Sequence, residues 1–202
     1  MNMLQDFLHV FIPLLIIVNP ASTVTLFTIL SKNSSKKDRK IVSRNTVIYA
    51  TVLLIIFSFT GFTILKLLNI SIYSFLIAGG VLLIVVGLDM VRSGIQFGEQ
   101  YIKGQKPLLN YSLVPLALPS LSGPGAITFS LVKIQTAEWW LILLSILLTM
   151  VIVFIILLKA NNIIRFLGEK GMDALTRVMG LLIVAISVQF IIDGISLWIS
   201  TY

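Results

Sequence analysis

The sequence contains no cysteine and a single histidine, and only 11% of its 202 residues are charged. Without cysteine there is no disulfide, no thiolate nucleophile and no Cys-ligated metal. One histidine, His9, is too few for most histidine metal sites or catalytic triads. No Gly-rich loop ending in Lys-Ser or Lys-Thr occurs, which argues against a nucleotide-driven pump. We therefore expect a protein that is not an enzyme and has neither a cofactor nor a metal.

What the sequence has in excess is apolar residues, which make up 57% of the chain and raise its mean hydropathy to +1.04. Six apolar runs are long enough, at about 1.5 Å per helical residue, to cross about 30 Å of hydrocarbon. They predict an all-α membrane protein with six transmembrane helices in one domain, residues 1–202. The expected spans are 7–31, 46–68, 71–91, 111–132, 139–158 and 176–199.

The basic residues fall in alternate loops. All but two of the 15 Lys and Arg residues, Lys66 and Lys133, lie in the loops after the first, third and fifth spans. The positive-inside rule then places these loops in the cytoplasm and both termini outside, in the inner (cytoplasmic) membrane. Topology and lipid headgroups thus explain the net charge of +7, and no nucleic acid partner is expected. Residues 162–167 form either a short amphipathic helix on the inner leaflet or an ordinary polar loop.

The third and sixth spans resemble each other. The segment GGVLLIVVGLDMVRSGI, residues 79–95, aligns without gaps with MGLLIVAISVQFIIDGI, residues 179–195. Because each copy would contain three helices, the second copy must enter the membrane in the opposite direction, as in many transporters. We expect two inverted three-helix repeats, at about 1–95 and 108–202. The identical pairs include Gly80 with Gly180, Gly94 with Gly194, and Ile95 with Ile195.

Spans 1 and 4 each contain an internal proline, and we expect both to be broken near the middle of the membrane. Proline removes one N–H donor and clashes with the carbonyl four residues back. The freed N–H groups favour a carboxylate and the freed carbonyls favour an ammonium, so two breaks suit a zwitterion. The alternative is that these residues only let helices pack closely. The candidate substrate-binding residues are Asn19, Pro20, Ser22, Thr23, Ser122, Gly123, Pro124, Gly125 and Thr128.

Three further polar residues are candidates for ion coupling, because ionisable groups inside membranes are often functional. They are Asp89 on the third span and Gln189 and Asp193 on the sixth. The competing interpretation is interfacial: Asp89 lies three residues before Arg92, and Asp193 lies near the outer end of its span. The coupling ion, H+ or Na+, stays open at this stage.

Three motifs carry a family resemblance: NPASTVTLF in span 1, PLALPSLSGPGAIT in span 4 and VQFIIDGI in span 6. Together they resemble the MarC family of six-helix membrane proteins, over nearly the whole chain. The resemblance implies kinship with LysE-type exporters and with transporters of small neutral amino acids such as glycine. The family usually has Asp-Pro where this sequence has Asn19-Pro20, which puts any ion coupling through that carboxylate in doubt here.

Two functions are weighed. The first is a secondary transporter of small neutral amino acids, such as glycine or alanine, that works by alternating access as one repeat rocks against the other. The second is a non-transporting membrane scaffold or a subunit of a larger membrane complex. An intramembrane enzyme has little support, since no cluster of His, Asp and Glu is apparent. The oligomeric state and the direction of transport stay open.

Overall fold

The structure, a computed structural model, describes residues 3–32, 34–93 and 107–201. Within these ranges it is helical throughout and has no strand, so the prediction of an all-α membrane protein is confirmed. Residues Leu108–Tyr111 form a 3-10 turn, and Ser112–Leu121 form a wider, irregular helical segment. The regular helices are α1 (Met3–Val18), α2 (Pro20–Leu30), α3 (Lys36–Leu67), α4 (Ile72–Ser93), α5 (Pro124–Thr136), α6 (Trp139–Leu158) and α7 (Ala160–Thr201).

Five helical stretches of the described chain are long and apolar enough to cross a membrane. They are α1 with α2, which continue as one stretch of 28 residues (Met3–Leu30), and α3, α4, α6 and α7. The pair Leu108–Leu121 and Pro124–Gln135 meets the same test together, with a bend of 58° between its halves, and makes a sixth. These stretches coincide with the six predicted spans.

The last helix is longer than the sequence pattern predicted. It begins at Ala160 rather than near residue 176, and it is interrupted at Gly168, whose φ of 71° is a left-handed conformation that glycine adopts without strain. Residues 162–167 are therefore helical, as one of the two interpretations of this loop predicted. Their contact with the inner leaflet stays a prediction.

The interruption between α1 and α2 is confined to one residue. Asn19 adopts a left-handed conformation, with φ 49° and ψ 73°, and Pro20 follows as the first residue of α2. The Asn19 N–H still donates to the Leu15 carbonyl at 3.2 Å, and the Thr23 N–H reaches the Asn19 carbonyl at 3.5 Å. Because hydrogen bonds run across the interruption, the two helices continue as one stretch.

The interruption before α5 is larger, and the sequence explains where it lies. Val114 and Leu118 are extended, with ψ 123° and 126°, and each precedes a proline. Proline disfavours the helical region for the residue before it, so the motif PLALP cannot continue a regular helix. After Leu121 the chain turns and α5 begins at Pro124, which needs no N–H at the first helical position.

Helices α4 and α7 pack closely, at points where glycine removes the side chain. A Cβ added to Gly80 would lie 2.8 Å from the carbonyl oxygen of Ser187. A Cβ added to Gly180 would lie 2.9 Å from the carbonyl oxygen of Gly87. The two contacts are equivalent in the alignment. Gly80 meets Ser187, seven positions after its aligned partner Gly180, and Gly180 meets Gly87, seven positions after Gly80.

The burial of the two helices follows the same register. Each position in 80–93 is buried, half-buried or exposed in the same way as the position 100 residues later, in 180–193. The two segments therefore present matching faces to the protein. The predicted pairs of Gly94 with Gly194 and Ile95 with Ile195 include positions outside the described residues.

Candidate functional site

A cavity of about 130 Å³ lies beside the interruptions of spans 1 and 4, and its lining includes the exposed residues Leu82 and Pro124. One wall is the beginning of α5, where Gly123, Pro124, Gly125 and Ala126 follow one another. Ile17, two residues before the interruption at Asn19, lies near the middle of the 28-residue stretch and forms part of another wall. The remaining lining residues are Leu82, Leu83 and Val86 of α4, Ile183 of α7, and Pro119 and Ser120 of the segment before α5.

A hydrogen bond joins the two interrupted spans at the edge of this cavity. The hydroxyls of Thr23, in α2, and Ser120, in the segment before α5, are 2.9 Å apart, and either can donate. Both residues are buried, and Ser120 also lines the cavity. The Thr23 hydroxyl additionally lies 3.3 Å from the Asn19 carbonyl oxygen, to which it can donate. The two spans thus share a buried polar contact.

The start of α5 offers main-chain donors to the cavity. The N-cap residue Gly123 has no side chain and provides no capping acceptor, and Pro124 has no N–H. The N–H groups of the first turn are those that a helix leaves without intrahelical partners, and they carry the positive end of the helix dipole. A Cβ at Gly125 would overlap the side chain of Leu83 and lie 3.3 Å from Ile17. Glycine at this position therefore lets the start of α5 pack closely against Leu83 and Ile17.

Asn19 is completely buried, and in its side-chain amide only the nitrogen has hydrogen-bond partners among the described residues. Its Nδ2 donates to the Ser22 hydroxyl at 2.7 Å and lies 3.4 Å from the Met90 sulfur of α4. Its Oδ1 has no hydrogen-bond partner among the residues that the structure describes. An amide oxygen buried without a donor is costly, so this atom marks a polar position of interest.

Not every residue predicted for the site lies at the cavity. The Ser122 hydroxyl is buried and donates to the Ala117 carbonyl at 2.8 Å, within its own segment. Thr128 is buried against α4, where it occupies the space that a side chain at Gly79 would need. Pro20 borders a separate apolar cavity of about 270 Å³, whose walls include Met172. That these three contact a substrate stays a prediction without support from their positions.

The apolar walls of the cavity were missed by sequence reasoning. Leucine, isoleucine and valine in a membrane span look like ordinary core residues, so composition gives no signal for them. The repeat gives one signal: Leu83 and Ile183 are aligned positions, 100 residues apart, and both line the cavity. Ser120 was noticed as a small polar residue beside the break, but its pairing with Thr23 depends on the bend of span 4.

The three candidates for ion coupling lie on the outside of the bundle. Asp89 is exposed on α4, and no ion pair with Arg92 occurs in the described part of the chain. Gln189 and Asp193 are exposed on α7, where Gln189 Nε2 donates to Asp193 Oδ1 at 2.7 Å. None of the three is among the residues that line the cavity. Within the described ranges, no group of three or more His, Asp or Glu residues is arranged to hold a metal ion.

Two wider crevices open at opposite ends of the first span. One, of about 780 Å³, is lined by Asp6, His9, Lys133 and Glu138 among others. The other, of about 600 Å³, lies near the end of α2. Both have charges of both signs, and along the first span they are about 30 Å apart. The charged residues lining the second crevice are Lys32, Arg39, Glu169 and Asp173.

Comparison with known proteins agrees with this architecture. The family model described as MarC family integral membrane protein matches residues 4–199. A UPF0056 membrane protein of Methanocaldococcus jannaschii is 39% identical over 198 residues, which cover 95% of this chain and 97% of the relative. UPF0056 membrane proteins of Buchnera aphidicola and Aquifex aeolicus are 34% and 32% identical, over 95% and 94% of this chain and 93% and 92% of their own lengths. No solved structure matches. The chain belongs to the MarC family of integral membrane proteins.

Proposed function

We propose that this protein is a secondary transporter of small neutral amino acids, such as glycine or alanine. The observation that carries the proposal is the cavity of about 130 Å³ against the start of α5. Pockets for drug-sized ligands measure about 300–1,000 Å³, so this cavity suits a far smaller molecule. A zwitterion with at most a methyl side chain fits both its size and its mixture of polar and apolar walls.

The substrate's carboxylate would bind at the start of α5. The N–H groups of the first turn favour an anion through hydrogen bonds and through the helix dipole. Gly123 and Gly125 put main-chain atoms in the cavity wall, where the carboxylate can approach them. No arginine or lysine is needed there, and none lines the cavity.

The substrate's ammonium would bind on the side of Ser120, whose hydroxyl oxygen accepts hydrogen bonds and which is joined to Thr23. The apolar walls formed by Leu82, Leu83 and Ile183 would then contact the α-carbon and a methyl group. A larger side chain would clash with these walls in a closely packed interior, which accounts for selection of small substrates.

Transport requires that the site open to each side in turn, and the architecture offers a basis for this. The reciprocal contacts of Gly80 and Gly180 and the matching burial of 80–93 and 180–193 support an arrangement of two inverted repeats. In such proteins alternating access follows from the near-equivalence of two opposed states. The crevices at the two ends of the first span would be the vestibules. The distribution of Lys and Arg favours an inner membrane location with both termini outside.

A second candidate is a role as a subunit of a larger membrane complex, and one observation favours it. Gln189 and Asp193 form a hydrogen-bonded pair on the exposed surface of α7. Polar side chains that face lipid are costly, and a neighbouring helix would cover them. This role does not exclude transport, and only transport accounts for the cavity.

Counterflow in proteoliposomes tests the proposal. Vesicles loaded with unlabelled glycine and containing the purified protein should take up labelled glycine and alanine but not leucine. Gly125→Ala, whose methyl group would overlap Leu83 in the cavity wall, should reduce this exchange at least tenfold. Gly171→Ala, whose nearest neighbour is the side chain of Leu167 in the same helix, should retain it. If the folded protein exchanges no small amino acid, the result would contradict the proposal and favour the role as a subunit of a larger membrane complex.

A further inference from the structure

The amide of Asn19 presents an oxygen that the fold leaves without a donor. Its nitrogen faces Ser22 Oγ and the Met90 thioether, and because a thioether sulfur can only accept, this contact determines which side of the amide is nitrogen. Its oxygen therefore points away from Met90, has no partner among the described residues, and belongs to a fully buried side chain. In a membrane protein such an acceptor has no solvent to satisfy it.

Other neutral oxygens surround this position. Ser22 Oγ is 2.7 Å from the Asn19 amide nitrogen, and Thr23 Oγ1 is 3.3 Å from the Asn19 carbonyl oxygen. Ser120 Oγ, from the other interrupted span, is 2.9 Å from Thr23 Oγ1. The site also lies where α1 ends at Val18, and the carboxyl end of a helix carries a partial negative charge. Oxygens from both spans and a negative helix end are therefore gathered around one buried residue.

Among the described residues, the interior holds no carboxylate, imidazole or amine that could carry a proton. Every buried polar side chain in the described ranges is an amide or a hydroxyl; no Asp, Glu, His or Lys among the described residues is buried. Asp89 and Asp193, the two carboxylates expected within spans, are both exposed. Proton-coupled transporters rely on titratable side chains along the pathway. No buried residue of the described ranges could belong to such a proton relay.

We propose that the side chains of Asn19, Ser22 and Thr23 bind a sodium ion that couples amino acid transport. The proposal rests on the function proposed above and names its coupling ion. Hard cations prefer oxygen ligands, and broken helices in transporters coordinate sodium with the carboxyl ends of their half-helices. A cage of neutral oxygens leaves the ion's positive charge uncompensated. The substrate's carboxylate, bound nearby at the start of α5, would supply the compensating charge.

The shared position of Ser120 explains how the two ligands would cooperate. Its hydroxyl lines the cavity for the amino acid and also contacts Thr23 in the sodium site. Binding of either ligand would therefore order a residue that the other needs. Because linkage is reciprocal, sodium should raise the affinity for glycine and glycine should raise the affinity for sodium by the same factor.

Transport assays test the coupling. An inward sodium gradient at constant pH should drive glycine accumulation, whereas an inward proton gradient with potassium replacing sodium should not. Accumulation driven by the proton gradient in sodium-free medium would overturn the proposal. Glycine counterflow at equal rates with and without sodium would also overturn it while leaving the transporter intact. Loss of counterflow under every ionic condition would instead contradict the proposed function.

Binding of sodium to purified protein tests the site independently of transport. Sodium chloride in place of choline chloride at constant ionic strength should raise the melting temperature, because a ligand bound only by the folded state stabilises it. Asn19→Ala should weaken this sodium dependence at least tenfold in concentration, and Asn19→Asp should retain it. Thr176→Val, which removes another buried hydroxyl without a partner among the described residues, should behave as wild type. An unchanged sodium response in Asn19→Ala, or none in wild type, would overturn the assignment.

Discussion

Two regions of the bundle use small residues in opposite ways. In the pair α4–α7, glycines bring two uninterrupted segments so close that main-chain atoms touch, and no cavity separates them at Gly80 and Gly180. At the interruptions of spans 1 and 4, small and polar residues leave a cavity and an amide oxygen without a donor. The first arrangement fixes two helices together. The second keeps open the space in which a ligand can bind.

The difference indicates that one region would stabilise the fold and the other would bind the ligand. Helices α4 and α7 form one closely packed unit, and Leu83 and Ile183 of this unit line the cavity. The interrupted spans supply the polar groups on the opposite side. A ligand would then bind between the closely packed pair of α4 and α7 and the interrupted spans, which supply the polar groups. Variants in the first region should affect stability, and variants in the second should affect transport.

The largest effect is expected in the packed pair. Gly180→Ala places a methyl group against the Gly87 carbonyl oxygen and the Met90 side chain, both at 2.9 Å. Overpacking of this kind should lower the free energy of unfolding by about 1–3 kcal/mol. Gly171→Ala should change it by less than about 1 kcal/mol. Thermal or denaturant unfolding in detergent measures both, and equal stability of the two variants would show that α4 and α7 are not in close contact.

A moderate effect, on transport rather than stability, is expected at the polar contact. Thr23→Val keeps the shape but removes the hydroxyl that contacts Ser120, at a cost of about 1 kcal/mol to folding. Glycine counterflow should nevertheless fall tenfold or more, because both proposed ligands depend on this contact. Thr60→Val, which alters an exposed hydroxyl bonded only within α3, is the matched control. Normal counterflow by Thr23→Val would remove the contact from the mechanism.

The smallest effect is expected on the outer surface of α7. Asp193→Asn removes the charge but keeps an oxygen that can accept from Gln189. Since this pair lies away from the cavity, sodium-driven uptake should change by less than about twofold, as surface changes are usually mild. Uptake measured in vesicles with a fixed amount of protein decides this. A loss comparable to that of Thr23→Val would return Asp193 to the list of coupling residues.

The sequence predicted the membrane spans because they follow from local chemistry. Long apolar runs have few alternatives to a membrane helix, and Pro20 and Pro124 cannot donate the hydrogen bonds that an uninterrupted helix requires. The alignment of residues 79–95 with 179–195 likewise anticipated the matched faces of α4 and α7 in the described ranges.

Side-chain direction at the site was not predictable, because it depends on the bend of the backbone. Ser122 looked like a ligand-binding hydroxyl, but the turn before α5 directs it to the Ala117 carbonyl. Pro20 lies on the far side of its helix, facing a different cavity. The start of α7 at Ala160 was missed because its polar residues resemble a loop, whereas a helix that extends beyond the membrane tolerates them.

Glycine binding to the purified protein tests the central claim most directly. Equilibrium binding of labelled glycine in sodium-containing buffer should show one site per chain in the wild type and in Gly171→Ala. In Gly125→Ala the added methyl group would displace Leu83 of the cavity wall, and binding should fall at least tenfold while the protein stays folded. Equal binding by Gly125→Ala and wild type, or no binding of any small amino acid by either, would contradict a substrate site at the start of α5.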